Sequence, residues 1–331
     1  MRFVVYGAGA IGGVIGGRLF EHGHDVVLIA RGEHARALRD RGLRLDTPDG
    51  STLLAVPVVE HPDQLRLGPD DLVVLAMKSQ DTPAALDALA QAEGRPGALA
   101  CAQNGVTNER LALRQHPHTY GVCVMCPATH LEPGVVVASS TPVTGILDVG
   151  AYPEGTDDRA EALAAAFSAS TFVSVARPDI MRWKHSKLLT NLGNVVQAAF
   201  APSTEADELA RLARREGRGA LEAAGIDVAT AAEDRERRGD LLQLRPVGDA
   251  ERAGGSTWQS LARGATRLET DELNGEIVLQ GRLHGFPTPV NEALQQLGRQ
   301  LTRAGAAPGA GDAATFLAEL RARLDGTDDR G

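Results

Sequence analysis

The six residues Gly7-Ala8-Gly9-Ala10-Ile11-Gly12 constrain the fold of this chain more than any other stretch. They fit G-x-G-x-x-G, follow a short β-rich run (Phe3-Val4-Val5-Tyr6) and open a segment of helical spacing that stops at Gly23. Residues 25–30, DVVLIA, then read as a second strand. A strand, glycine turn, helix and strand in this order imply a parallel sheet with a right-handed crossover. Each glycine has a physical role in such a unit. Gly7 permits the tight turn, Gly9 lets backbone approach a pyrophosphate, and Gly12 allows the helix to pack close to the strand. The helix amino end favours phosphate charge. Gly7, Ala8, Gly9, Ala10, Ile11 and Gly12 are therefore the candidate cofactor-binding turn.

The pattern continues in the front half. Val56–Val59, Leu72–Met77, Leu99–Ala102 and stretches near 120–126, 134–138 and 143–147 are apolar and β-rich, and Thr82–Ala92 is helical. From about residue 179 the chain reads as helices: 180–200, 203–224, a long one near 256–283, and a short terminal one at 315–324. Glycine and charge at 245–255 suggest a loop between helices. The expected fold is α/β: an N-terminal Rossmann-like dinucleotide-binding domain (1–176) followed by an all-helical C-terminal domain (177–331). A chain of 331 residues with 43% hydrophobic content supports two cores.

The net charge of −9 argues against nucleic acid as a partner. No run approaches a membrane span, and the amino-terminal apolar run is too short for a signal-peptide core, so the expected compartment is the cytoplasm. Three cysteines fit a reducing compartment. Cys123 and Cys126 form a CxxC with His130 beyond, too few ligands for a metal, so they read as packing thiols and no metal is expected. A homodimer is admitted by the sequence without being required.

The end of the second strand separates cofactors. An NAD site places Asp or Glu there for the ribose 2′-hydroxyl. This chain has Leu28-Ile29-Ala30-Arg31, and an arginine pairs with a 2′-phosphate instead, which favours NADPH although Glu33 follows closely. Ligands in open α/β sheets sit at the carboxyl ends of strands, where Lys78 and Asn104 stand.

The helical half contains a second pattern. On one helix over 180–200, Lys184, Lys187, Asn191 and Asn194 share an arc of roughly 80°, flanked by Leu188, Leu192, Val195 and Ala199. Over 256–283, Trp258, Ala262, Thr266, Glu269, Leu273, Ile277 and Gln280 recur at steps of four and three, which puts Glu269 on a mostly apolar face. A buried carboxylate requires a partner, and a lysine of the 180–200 helix is a candidate. Ser256 and Thr257 follow two glycines and read as helix caps, or as hydroxyls that hold a substrate carboxylate.

Together these residues resemble the ketopantoate reductase (2-dehydropantoate 2-reductase) family over about residues 1–300. The glycine turn, Arg31, Lys78, Asn104-Gly105, Lys187 with Asn191 four residues on, Ser256-Thr257, and Glu269 ahead of Asp271, Asn274 and Gly275 match that family's motifs in order. The resemblance implies NADPH-dependent reduction of a 2-keto acid, ketopantoate in pantothenate and coenzyme A biosynthesis, at a site between two domains. It implies Lys187 as general acid, supported by Glu269, Asn104 and Asn191, with Asn191, Asn194, Ser256 and Thr257 on the substrate. Lys187 and Asn191 are expected to face the cleft and Lys184 to face solvent. Hydride arriving at a keto carbon leaves an alkoxide, and a lysine ammonium, pKa about 10.4, can both stabilise and protonate it. The chain departs from the family where many members have a second asparagine eight residues after the lysine: that position is Val195. The rival readings are a reductase of a different 2-keto acid and a non-catalytic NADP(H)-binding sensor.

Overall fold

An eight-stranded sheet organises the front of the molecule. Its strands are β1 (Arg2–Tyr6), β2 (Asp25–Ile29), β3 (Val58–Val59), β4 (Asp71–Leu75), β5 (Ala98–Cys101), β6 (Thr119–Met125), β7 (Gly145–Ala151) and β8 (Phe172–Val173). Their spatial order is β8-β7-β6-β5-β4-β1-β2-β3. All pairs are parallel except β6 with β7. The order reverses between β1 and β4, which creates the switch point where ligands sit in doubly wound sheets. The computed structural model describes residues 1–248 and 254–328. Residues 249–253, inside the loop expected at 245–255, lie outside the described residues.

Burial on both faces explains why the strands read as unbroken apolar runs. Phe3, Val5 and Leu28 belong to the core on one face, and Val4, Tyr6 and Val73 to the core on the other. The helix α1 (Ala10–Glu21) covers the first face through glycines: a Cβ at Gly16 would lie 2.5 Å from Leu28, and one at Gly13 would lie 2.6 Å from Val136. Val136 comes from a second, four-stranded sheet made of 43–47, 50–54, 128–129 and 135–138. The sequence pattern revealed only the last of these four strands.

The described residues form two compact units: 1–184 with 229–248, and 185–228 with 254–328. The returning segment joins the first unit by charge. Asp148 on β7, 1% exposed, accepts from Arg237 at 2.6 and 2.8 Å and from Arg177 at 2.8 Å. Glu233 accepts from the two terminal guanidinium nitrogens of Arg182 at 2.8 and 2.9 Å. The segment also contributes a strand, Leu242–Leu244, paired with Ser140–Pro142, within the half read as helices.

The second unit is helical. The expected helix over 180–200 is two: α6 (Ile180–Asn191), within which the chain passes from the first unit to the second, and α7 (Asn194–Ala199). The break falls at Leu192-Gly193, and the Leu192 carbonyl accepts from Asn274 Nδ2 at 3.1 Å. The expected helix over 256–283 is also two, Ser256–Ala262 and Asn274–His284. Gly264 takes φ +70°, and Ala265 N–H bonds back to Ser260 while Gly264 N–H bonds to Leu261. That left-handed cap ends the first helix, whatever apolar period follows it. The helix Thr204–Ala223 agrees with expectation, capped by Ser203. The terminal helix is longer than expected, Ala313–Asp328.

Candidate active site

The glycine turn lies between β1 and α1, and its geometry assigns each glycine. Gly7 has φ +97°, and a Cβ there would lie 2.6 Å from Met77 N. A Cβ at Gly12 would lie 2.1 Å from the Gly7 carbonyl oxygen. A Cβ at Gly9 would meet nothing within 4 Å, so the space over the turn is open where a pyrophosphate would approach. Ala10 begins α1, and Gly9 supplies no side-chain cap, so the first-turn N–H groups are available to an anion. The residues present fit a dinucleotide.

Arg31 is exposed and opens the helix Gly32–Arg41, beyond the carboxyl end of β2. It donates to the Tyr6 hydroxyl at 3.1 Å. Glu33, the residue that clouds the cofactor reading, is exposed and pairs with Arg36 at 3.9 Å. Beneath the turn lies a residue that no sequence motif singles out. His34 Nε2 sits 2.7 Å from the Ala8 carbonyl, and His34 Nδ1 accepts from Gly134 N at 2.9 Å. This arrangement assigns the neutral Nε2–H tautomer. Burial, then the nearby His130 ring, pull His34 down to about 4.

Lys78 and Asn104 are half-buried residues just past β4 and β5. A buried polar network joins their loops. Gln103 Nε2 donates to Thr82 Oγ1 at 2.9 Å, Thr82 Oγ1 donates to Asn108 Oδ1 at 2.8 Å, and Asn108 Nδ2 donates to Ser79 Oγ at 3.1 Å. Lys184, expected in solvent, is 3% exposed. Its Nζ lies 2.6 Å from Glu109 Oε1 and donates to the carbonyls of Cys101, Gln103 and Val122. The correction follows from Gly121, whose missing side chain leaves room for the lysine stem: a Cβ there would lie 3.3 Å from Lys184 Cδ. Cys123, of the CxxC, lies in an apolar cluster with Met125, Ile146 and Trp183.

In the second unit, Lys187 is half-buried and Asn191 is 8% exposed. They stand four apart on α6 and so share a face. The Asn191 Nδ2 is buried with no hydrogen-bond partner among the described residues. Asn194 opens α7 beyond the break, so it does not continue that face. Helix Ser256–Ala262 packs on α7. Its N-cap is Gly255, without a side-chain cap, so Ser256 and Thr257 are its first helical residues and not its caps. Thr257 is 3% exposed. Glu269, expected on a helix face, lies in the turn between the two helices, 5% exposed. Nearby Glu272, missed by the sequence reading, is pushed up by burial and then by the charges of Glu269 and Asp271. Asn274 is structural: besides Leu192 it donates to Asn291 Oδ1 at 3.0 Å. Among the described residues no group of three or more His, Cys, Asp or Glu side chains could hold a metal ion. Nor is any described helix long and apolar enough to cross a membrane.

The chain matches the family description "Ketopantoate reductase PanE/ApbA" over residues 3–154 and "Ketopantoate reductase PanE/ApbA C terminal" over residues 179–302. It belongs to the ketopantoate reductase family. A 2-dehydropantoate 2-reductase of Halobacterium salinarum is 31% identical over 318 residues, covering 92% of this chain and 100% of the relative. One of Pyrococcus horikoshii is 28% identical, covering 90% of this chain and 96% of the relative. Among solved structures, a PanE/ApbA family ketopantoate reductase from Ralstonia eutropha JMP134 superposes with TM-score 0.77 at 27% identity, covering 92% of this chain and 99% of that one. The family is one of dinucleotide-dependent oxidoreductases, and the Rossmann-like sheet followed by a helical part is its architecture.

Proposed function

We propose that the chain uses NADPH to reduce a 2-keto acid, 2-dehydropantoate, to pantoate, in the cytoplasm and for pantothenate and coenzyme A biosynthesis. The observation that carries the reading is the pair on α6. Lys187 shares a helix face with an asparagine whose buried amide donor has no partner among the described residues, as expected of a group kept for a ligand. The names of the relatives supply the substrate.

NADPH would bind at the turn Gly7–Gly12, with its 2′-phosphate on Arg31, and supply the hydride. Lys78 and Asn104 hold the cofactor at the strand ends. Lys187 gives its proton to the carbonyl oxygen as charge develops there. Glu269 keeps Lys187 charged and oriented. Asn104 and Asn191 position substrate, and Asn194, Ser256 and Thr257 hold its carboxylate end. The helix Ser256–Ala262 has only seven residues, so the hydroxyls matter more than its dipole.

One feature favours a different 2-keto acid: Val195, where many family members have asparagine, is 1% exposed and cannot reach a ligand as an amide would. The test is loss of nicotinamide absorbance with ketopantoate and a panel of small and bulky 2-keto acids, each with NADPH and NADH. Rapid NADPH oxidation with ketopantoate supports the reading. Turnover of another panel member in its place moves the substrate. Tight NADPH binding with no turnover would replace the enzyme by a sensor.

A further inference from the structure

Beyond Gly121–Cys101 the parallel ladder between β5 and β6 stops. Lys184 takes up the carbonyls left where the two strands part: Cys101 at 3.3 Å, Gln103 at 3.0 Å and Val122 at 3.2 Å. An ammonium has three donors, and here they are shared among these carbonyls and one carboxylate. Glu109, 0% exposed, faces it as a counter-charge, with Oε1 2.6 Å from Nζ. Glu109 lies in the first turn of the helix Asn108–Leu113. Its neighbour Asn108 donates to the Asn104 carbonyl at 3.3 Å, as does Ser79 Oγ at 3.3 Å. One helix start therefore grips consecutive peptides: Gln103 through Glu109 and Lys184, and Asn104 through Asn108.

A buried ion pair of this kind contributes little net stability over an apolar pair of equal volume. Here it supplies direction, because its bonds reach three carbonyls from one point. We propose that Lys184 and Glu109 are a positioning pair for Asn104, fixing the peptide that aims its side chain at the ligand. Neither touches ligand. The inference rests on the reading of Asn104 as a cofactor contact.

The test is a double-mutant cycle read in the NADPH dissociation constant by fluorescence, with no keto acid present, so that a wrong substrate does not affect it. Asn104→Ala should weaken NADPH by roughly 2- to 10-fold, the range of one hydrogen bond. Lys184→Met with Glu109→Gln, which removes both charges, should weaken it by a similar factor. Combining all three should give no further loss. Where the double replacement does not fold, Glu109→Gln alone keeps the carbonyl bonds; its smaller loss should likewise vanish in the Asn104→Ala background. Losses that multiply overturn the inference and leave the Asn104 reading standing. A silent Asn104→Ala overturns both. NADPH affinity unchanged in the folded charge-free variant overturns the inference alone.

Discussion

Lys184 and Lys187 stand less than one turn apart on the same helix, yet their surroundings are opposite. Lys184 has its stem over a glycine and its head against a buried carboxylate and three carbonyls. Lys187 is half-buried, and the next turn of its face carries an amide donor without a partner among the described residues. A proton donor must be able to release its proton and recover it. The first lysine is built into the fold; the second is the one proposed as the proton donor. Gln103, Thr82, Asn108 and Ser79 bond to one another in the first unit; Gln103 Oε1 there, like Asn191 Nδ2 in the second, has no hydrogen-bond partner among the described residues.

The largest effect that would break this contrast is on stability. Lys184→Met leaves Glu109 as an unpaired buried charge and should cost about 3–5 kcal/mol in denaturant unfolding, whereas Lys187→Met should cost well under 1 kcal/mol. Equal losses would erase the distinction. Next, Arg31→Ala should raise the NADPH dissociation constant roughly 10- to 100-fold, the range of a charged hydrogen bond, and leave NADH binding nearly unchanged. Calorimetric titration of both cofactors checks this. Asn191→Leu should lower kcat/KM about tenfold without lowering the melting temperature, because the donor it removes has no bond to lose among the described residues. A fall in melting temperature would show a hidden structural role.

The smallest effect is electrostatic. The Arg182 guanidinium, bonded through both nitrogens, holds Glu233 down at about 2 against an ordinary 4.5. A depressed carboxylate adds stability that is full above 4.5 and drains as pH falls toward 2. Glu233→Gln should flatten that part of the acid-unfolding curve and leave the rest of it unchanged. His34 provides a parallel check near the glycine turn. Its folded value near 4 lies below the ordinary 6.5, so its contribution is full above 6.5 and drains as pH falls toward 4.

What the sequence could reveal follows from how local each cause is. The glycine turn was readable because its strand, G-x-G-x-x-G and helix follow one another directly in sequence, although the contact that demands glycine at position 7 is with Met77, distant in the chain. The strands of the large sheet other than β8 were readable because burial on both faces leaves unbroken apolar runs. The small sheet was not: 43–47 and 50–54 mix exposed and buried positions, and their pairing with each other and with 135–137, distant in sequence, makes them strands. The helix over 256–283 kept its period through Glu269, but Gly264 ends it, and periodicity does not register a single left-handed residue. Lys184 was unreadable for the plainest reason. Its partners Glu109, Cys101, Gln103 and Val122 are distant in sequence, and a lysine beside a lysine reads as surface until the fold supplies a carboxylate. The order of the site motifs was legible; the burial of Lys184 required the structure.

The measurement that tests the central claim most directly is turnover of ketopantoate by Lys187→Ala, with NADPH binding measured on the same preparation. The account predicts NADPH affinity within about twofold of the unmodified chain, and turnover lower by about 10²–10⁴, the usual range for loss of a general acid. Near-normal turnover with intact NADPH binding would contradict it, and the proton would have to come from another group.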